Sequence, residues 1–227
     1  GKTGINSKKG KNLIGTFHQP KLVISETEFL KSLPKREIIC GFAEILKHAL
    51  ISDKKFYNWL EKNTKKIIQD RDENAINSAI HRSCKIKISF ASRDEKETGD
   101  RAILNFGHTF AHGIEAASNF SKKINHGEAV LLGMIFATKL SNKKRICSSN
   151  TLGKIINFYN KNNLPDNLRN YSLNNKLNKI VEHMKSDKKN KDSRINLILL
   201  KKIGKTTKPG AIMMSPLQVK MALKKIT

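Results

Sequence analysis

The chain has 227 residues, 38% of them hydrophobic and 6% aromatic, with 44 Lys and Arg against 19 Asp and Glu for a formal charge of +25. That length can bury one large core, but no apolar run reaches the ~20 residues of a membrane-spanning helix, and the first residues lack the apolar core of a signal peptide. The lysines are scattered beside Asn and Ile, without aromatic interleaving. The charge therefore reads as compositional drift plus an anionic small molecule, and no nucleic-acid partner is expected.

Residues 1–20 are rich in Gly and Lys and read as loop. Lys21-Leu-Val-Ile-Ser25 predicts a short strand. Ser25-Glu-Thr-Glu28 predicts a helix start of the capping-box kind, with Thr27 as a rival cap. Leu33-Pro34 marks a break and a domain boundary, with a remnant of an α/β unit over 1–32 and a mainly helical domain over 33–227. Helical periodicity then runs almost to residue 185. It predicts helices over 37–52, 56–68, 75–90, 104–117 and 128–140, and shorter ones over 153–159 and 177–184. Strand character returns in Ile195 to Leu200 and Ala211 to Met214, a small C-terminal β element. Cys40, Cys84 and Cys147 form no CxxC, and an odd count fits a reducing cytoplasm.

Three distant segments each offer a ligand for a divalent metal: Glu44, His108 and His126. Two imidazoles and a carboxylate make the set of an open catalytic zinc site. Glu44 and Lys47 are three apart on one helix and face one side, either as part of a cleft or as a plain surface pair. His108 and His112 are four apart, either as ligands or as ordinary helix histidines. Their spacing resembles a zinc-protease helix, but Thr109 stands where that motif needs a general-base Glu, which disfavours peptidase chemistry. Asn105 and Arg101, three and seven residues before His108, put a planar hydrogen-bonding group and an anion-binding fork on the same side. His126-Gly-Glu-Ala129 reads as a loop feeding a helix N-terminus, a favourable place for an anion. Gly1-Lys-Thr3 resembles only the tail of a phosphate-binding loop.

Taken together and in order, these segments resemble the 3-dehydroquinate synthase family. The matching stretches are Gly1 to Asn6, Gly10 to Gly15 with Gln19-Pro20, Leu33-Pro34, Gly41 to Lys47, Asp94 to Gly99, Arg101 to Glu115, His126 to Ala129 and Asp187-Lys-Lys189. The resemblance implies a helical metal- and substrate-binding domain, preceded by the tail of an NAD-binding α/β domain whose glycine-rich strand–turn–helix unit lies outside this chain. The chain is thus expected to begin inside a longer one and to turn over poorly alone.

The same resemblance implies that Glu44, His108 and His126 bind zinc, with cobalt(II) as a substitute. Lys47, Lys87, Arg101, Asn105, His112, Lys188 and Lys189 would hold substrate, while Lys2, Lys11, Asn12, Phe29, Leu30, Lys31 and Ser32 would line the NAD⁺ side. The implied substrate is a sugar-acid phosphate, 3-deoxy-D-arabino-heptulosonate 7-phosphate, converted to 3-dehydroquinate and phosphate in the shikimate pathway. Oxidation of a hydroxyl by NAD⁺ precedes loss of phosphate, return of the hydride, ring opening and aldol closure. The full-length form is expected to be a cytoplasmic homodimer without membrane contact. Departures from the family pattern are Ala111, Gly113, Asp100 and Ser32. Two alternatives remain: a sister sugar-phosphate cyclase, and a non-catalytic metal- or nucleic-acid-binding fragment.

Overall fold

A computed structural model describes residues 3–7, 10–16, 18–185 and 194–227, with the side chains of 6, 7 and 10–13 left out. The chain divides into two compact units, Gly1–Ser32 and Leu33–Thr227.

The first unit holds an antiparallel hairpin, β1 (Ile5–Ser7) and β2 (Gly10–Ile14). Thr3 closes its open end, its hydroxyl donating to the Thr16 carbonyl at 2.8 Å. This corrects the expectation of loop over residues 1–20. The strand expected over 21–25 does not form. Leu22, Val23 and Ile24 are exposed instead, because a β-branched run becomes a strand only when a neighbour accepts its backbone hydrogen bonds. The helix expected from residue 25 is a single 3₁₀ turn, Glu28–Ser32, with no buried residue.

The second unit is mainly helical. Pro34 starts α1 (Lys35–Ser52), since proline's fixed φ and missing N–H suit a helix entrance. Asp53 caps α2 (Lys54–Lys65) by accepting from the Phe56 N–H. A π-turn (Lys66–Asp70) leads through Arg71, at φ 54°, into α3 (Glu73–Arg93). After a 3₁₀ stretch (Asp100–Asn105) come α4 (His108–Ala117), α5 (His126–Lys143), α6 (Ser149–Lys161) and α7 (Leu177–Lys185). Helix α5 is buried from Gly127 to Thr138, as expected of a helix apolar on all sides. Around it pack α1, α4 and α6, and α4 also packs on α7.

Near the C-terminus, strands β3 (Ile195–Asn196) and β6 (Met213–Met214) pair antiparallel, as do β4 (Leu200–Lys202) and β5 (Lys205–Thr206). These are shorter than the expected runs. Helix α8 (Pro216–Ile226) follows, capped by Ser215 and Gln218 in a capping box. It has no counterpart in the sequence reading. No helix of the described residues is long and apolar enough to cross a membrane.

Candidate metal centre

Glycines bring three helices together next to the predicted ligands. Gly107 immediately precedes His108 and has φ +80°, a left-handed conformation that breaks the chain between the 3₁₀ stretch and α4. The helix expected from residue 104 therefore begins at His108, and Arg101 and Asn105 do not share its register. A Cβ at Gly133 of α5 would stand 2.1 Å from the Gly107 carbonyl oxygen, so the backbones of α4 and α5 touch there. A Cβ at Gly127, just after His126, would stand 2.2 Å from Cys40 Cα, so α5 touches α1 as well. Gly113 has the same role toward α7, where a Cβ would lie 2.7 Å from the Ile180 carbonyl oxygen. That contact gives a reason for glycine at 113, while Ala111 is fully buried nearby.

As a result Glu44 of α1, His108 of α4 and His126 of α5 converge, one donor atom from each lying within 4.8 Å of the others. A tetrahedral ion with bonds of about 2.0–2.1 Å spaces its donors roughly 3.3 Å apart, so small side-chain rotations would close the set. Lys47 is buried and its Nζ lies 2.6 Å from Glu44 Oε2. The other oxygen, Oε1, is buried without a hydrogen-bond donor among the described residues. His108 Nε2 lies only 3.3 Å from it, yet without the alignment of a hydrogen bond. In the tautomer whose Nδ1–H donates to the Phe106 carbonyl, 3.4 Å away, Nε2 would present its lone pair to an ion. A cation between Nε2 and Oε1 would satisfy both lone pairs. The donor set therefore fits a zinc-like ion.

His126 Nδ1 lies 3.1 Å from Glu115 Oε2, and Glu115 is buried on α4 two turns beyond His108. That carboxylate fixes the ring and leaves Nε2 as the donor. Burial pushes the Glu44 carboxyl up, but His108 and the Lys47 ammonium outweigh it, and the net shift is well downward. Burial, then Lys47, depresses His108 to about 4, so its imidazole is neutral near pH 7, as a metal ligand must be.

His48 is also buried, its Nδ1 2.7 Å from Ser83 Oγ, and burial with the nearby Lys47 charge lowers it to about 3 from an ordinary 6.5. A depressed folded pKa means the unfolded chain takes up the proton first. Stability from this group is complete above pH 6.5 and drains as pH falls toward 3. At pH 5 the loss is about 2 kcal/mol. Urea melts of metal-free protein at pH 7 and pH 5 should show that difference shrink by about this amount in His48→Asn, which keeps a polar atom at the Nδ1 position. An unchanged difference would remove His48 as the source.

The remaining predicted residues are placed as follows. His112 is exposed, its ring 5.7 Å from that of His108 and 6.4 Å from that of His126. Lys87 is exposed on α3, and its charge is felt at His48. Asn105 donates to Glu97 Oε1 at 2.8 Å. Arg101 donates to the Glu95 carbonyl, and its backbone N–H to Asp94 Oδ2 at 2.9 Å. Asp94, rather than Asp100, thus holds the turn before Arg101. In the first unit Lys31 pairs with Glu28 at 2.7 Å, Ser32 Oγ donates to the Phe29 carbonyl, and Phe29 is exposed. Leu30 lies in the same 3₁₀ turn. Lys11 and Asn12 are described only as β2 backbone. Lys2, Lys188 and Lys189 lie outside the described residues. Glu97 and Glu115 were not assigned roles from sequence. An acidic residue two turns after a ligand histidine is a signal that could have marked Glu115.

A family model described as 3-dehydroquinate synthase C-terminal matches residues 41–190, and one described as 3-dehydroquinate synthase N-terminal matches residues 1–40. The chain belongs to the 3-dehydroquinate synthase family. Family members of that name include proteins from Pelagibacter ubique, 52% identical over 90% of this chain, and from Nitrosomonas europaea, 43% identical over 96%. The chain covers 55% and 57% of those two proteins, about half the length of the curated relatives it matches. Among solved structures, a 2-deoxy-scyllo-inosose synthase complexed with carbaglucose-6-phosphate, NAD⁺ and Co²⁺ superposes with TM-score 0.80 at 25% identity, over 99% of this chain and 61% of that one. A 2-epi-5-epi-valiolone synthase from Streptomyces hygroscopicus, with NAD⁺ and Zn²⁺ bound, gives 0.77 at 24% identity, over 99% and 60%. The latter likeness speaks to the fold alone.

Proposed function

We propose that this chain is the metal- and substrate-binding part of a 3-dehydroquinate synthase, acting on 3-deoxy-D-arabino-heptulosonate 7-phosphate with release of phosphate. The observation that carries it is the convergence of Glu44, His108 and His126, with one Glu44 oxygen buried and lacking a hydrogen-bond donor among the described residues. The identity to 3-dehydroquinate synthases, at 52% and 43%, well above that to the two other cyclases, favours the acid substrate over other sugar phosphates.

Glu44 Oε1, His108 Nε2 and His126 Nε2 would hold zinc or cobalt(II). When bound, the ion supplies Lewis-acid polarisation of a hydroxyl, and NAD⁺ supplies a hydride acceptor. The chain's residues bind and orient. Lys47 engages Glu44 Oε2 and so turns Oε1 toward the ion. His112, exposed with its ring 5.7 Å from that of His108, would hold a substrate hydroxyl. Lys87, Arg101 and Asn105, with Lys188 and Lys189, would take the carboxylate, hydroxyls and phosphate, while Phe29, Leu30, Lys31, Ser32, Lys2, Lys11 and Asn12 would contact the dinucleotide. The three free cysteines fit a cytoplasmic protein, and a homodimer is the expected full-length assembly.

Calorimetric titration of the zinc-loaded chain should show tighter binding of the seven-carbon acid phosphate than of a sugar phosphate lacking the carboxylate. Equal or reversed affinities would overturn the substrate assignment. Phosphate release with NAD⁺ from the 227-residue chain alone should be slow, because the chain spans only about half the length of the synthases it matches. Rapid release would contradict that.

A further inference from the structure

Successive turns of α1 present Arg36, Cys40 and Glu44 on one face. They meet the first turn of α5 in reverse order. Arg36 grips Glu128, with Nε donating to Oε1 at 2.8 Å and Nη2 to Oε2 at 2.6 Å. Cys40 meets Gly127 across a gap that leaves no room for a Cβ. Glu44 meets His126 in the donor cluster.

The same guanidinium ties down the chain entering α5. Its Nη1 donates to the Lys122 carbonyl at 3.1 Å and its Nη2 to the Lys123 carbonyl at 2.8 Å. Glu128, only 7% exposed, also accepts from the Asn125 N–H at 2.8 Å, closing the capping box of α5. Asn125 in turn donates its side-chain amide to Glu37 Oε1 at 2.7 Å. The His126 backbone is therefore held between two residues, Asn125 and Glu128, each bonded to the first turn of α1. Forked pairing of a guanidinium with a carboxylate fixes direction as well as distance, which an ammonium cannot reproduce.

We infer that Arg36 is a positioning residue of the metal centre. Acting through Glu128 and the Lys122–Lys123 carbonyls, it sets the separation between Glu44 and His126 while touching neither donor. This rests on the reading of Glu44, His108 and His126 as ligands.

The test measures zinc affinity by chelator competition, well below the melting temperature, and the cobalt(II) absorption spectrum. Both are read on the whole chain and on Arg36→Lys, Glu128→Gln and the double variant. Glutamine at 128 keeps the capping-box acceptor but loses the charge pair. Each single variant should bind zinc about 10-fold or more weakly, the scale seen when outer partners of ligands are removed. The cobalt bands should shift, and the double variant should be little worse than either single one. Unaltered affinity and spectrum in Arg36→Lys would overturn the inference, as would fully additive losses. If Arg36→Lys fails to fold, Glu128→Gln decides by the same affinity and spectral criteria. Wild-type protein that takes up no zinc, or His126→Ala protein that takes it up normally, would instead sink the ligand assignment, and the positioning role with it.

Discussion

Alanine at Glu44, His108 or His126 is expected to abolish zinc retention, so that purified variants carry almost no metal by elemental analysis. Loss of a direct ligand should exceed the roughly 10–100-fold that loss of an outer partner costs. The variants will not be equivalent. Glu44→Ala also strips the buried Lys47 ammonium of the carboxylate that lies 2.6 Å away. It should therefore lower stability as well as metal content. His126→Ala removes a half-exposed ring and should cost less in folding, although it leaves the buried Glu115 without its imidazole partner. Full zinc in any of the three would refute the assignment of that residue.

The second large effect concerns helix contact. Gly133→Ala would place a methyl 2.1 Å from the Gly107 carbonyl and 3.2 Å from the Ala111 nitrogen, against backbone that cannot turn aside. Helices α4 and α5 must then part. The expected cost is about 3 kcal/mol or more, at the upper end of overpacking effects. For a chain of this size that lowers the melting temperature by ~6–12 °C. His108 and His126 ride on the two separated helices, so zinc affinity should fall as well. Gly153→Ala is the control. It sits within α6 with nothing within 4 Å of the new methyl, and should raise stability by ~0.5–1 kcal/mol. Thermal melts by circular dichroism check both, and a Gly133→Ala melt equal to wild type would show that the contact is not tight.

Legibility followed the range of the physics. Helices α1 to α7 were readable because an apolar stripe of period 3.6 is a local property. Errors arose where a distant partner or a single backbone angle decides. The run Leu22 to Ile24 has strand composition but no partner strand among the described residues. The run from residue 104 is periodic, yet Gly107 at φ +80° interrupts it, and that angle has no sequence period. Helix α8 carries a local sign in Ser215-Pro216-Leu217-Gln218, the capping box and first-turn proline that open it.

By itself, the order of Glu44, His108, His126 and their flanking glycines determined which chemistry the chain could carry, since donor identity is a property of single residues. The tertiary structure decided which atoms come together. Among the described residues it left Glu44 Oε1 without a donor while Oε2 went to Lys47, set Glu115 behind His126, and locked α1 to α5 through Arg36 and Glu128, 92 positions apart. Those choices depend on how closely helices approach, and closeness is set by packing between surfaces that no local pattern brings together.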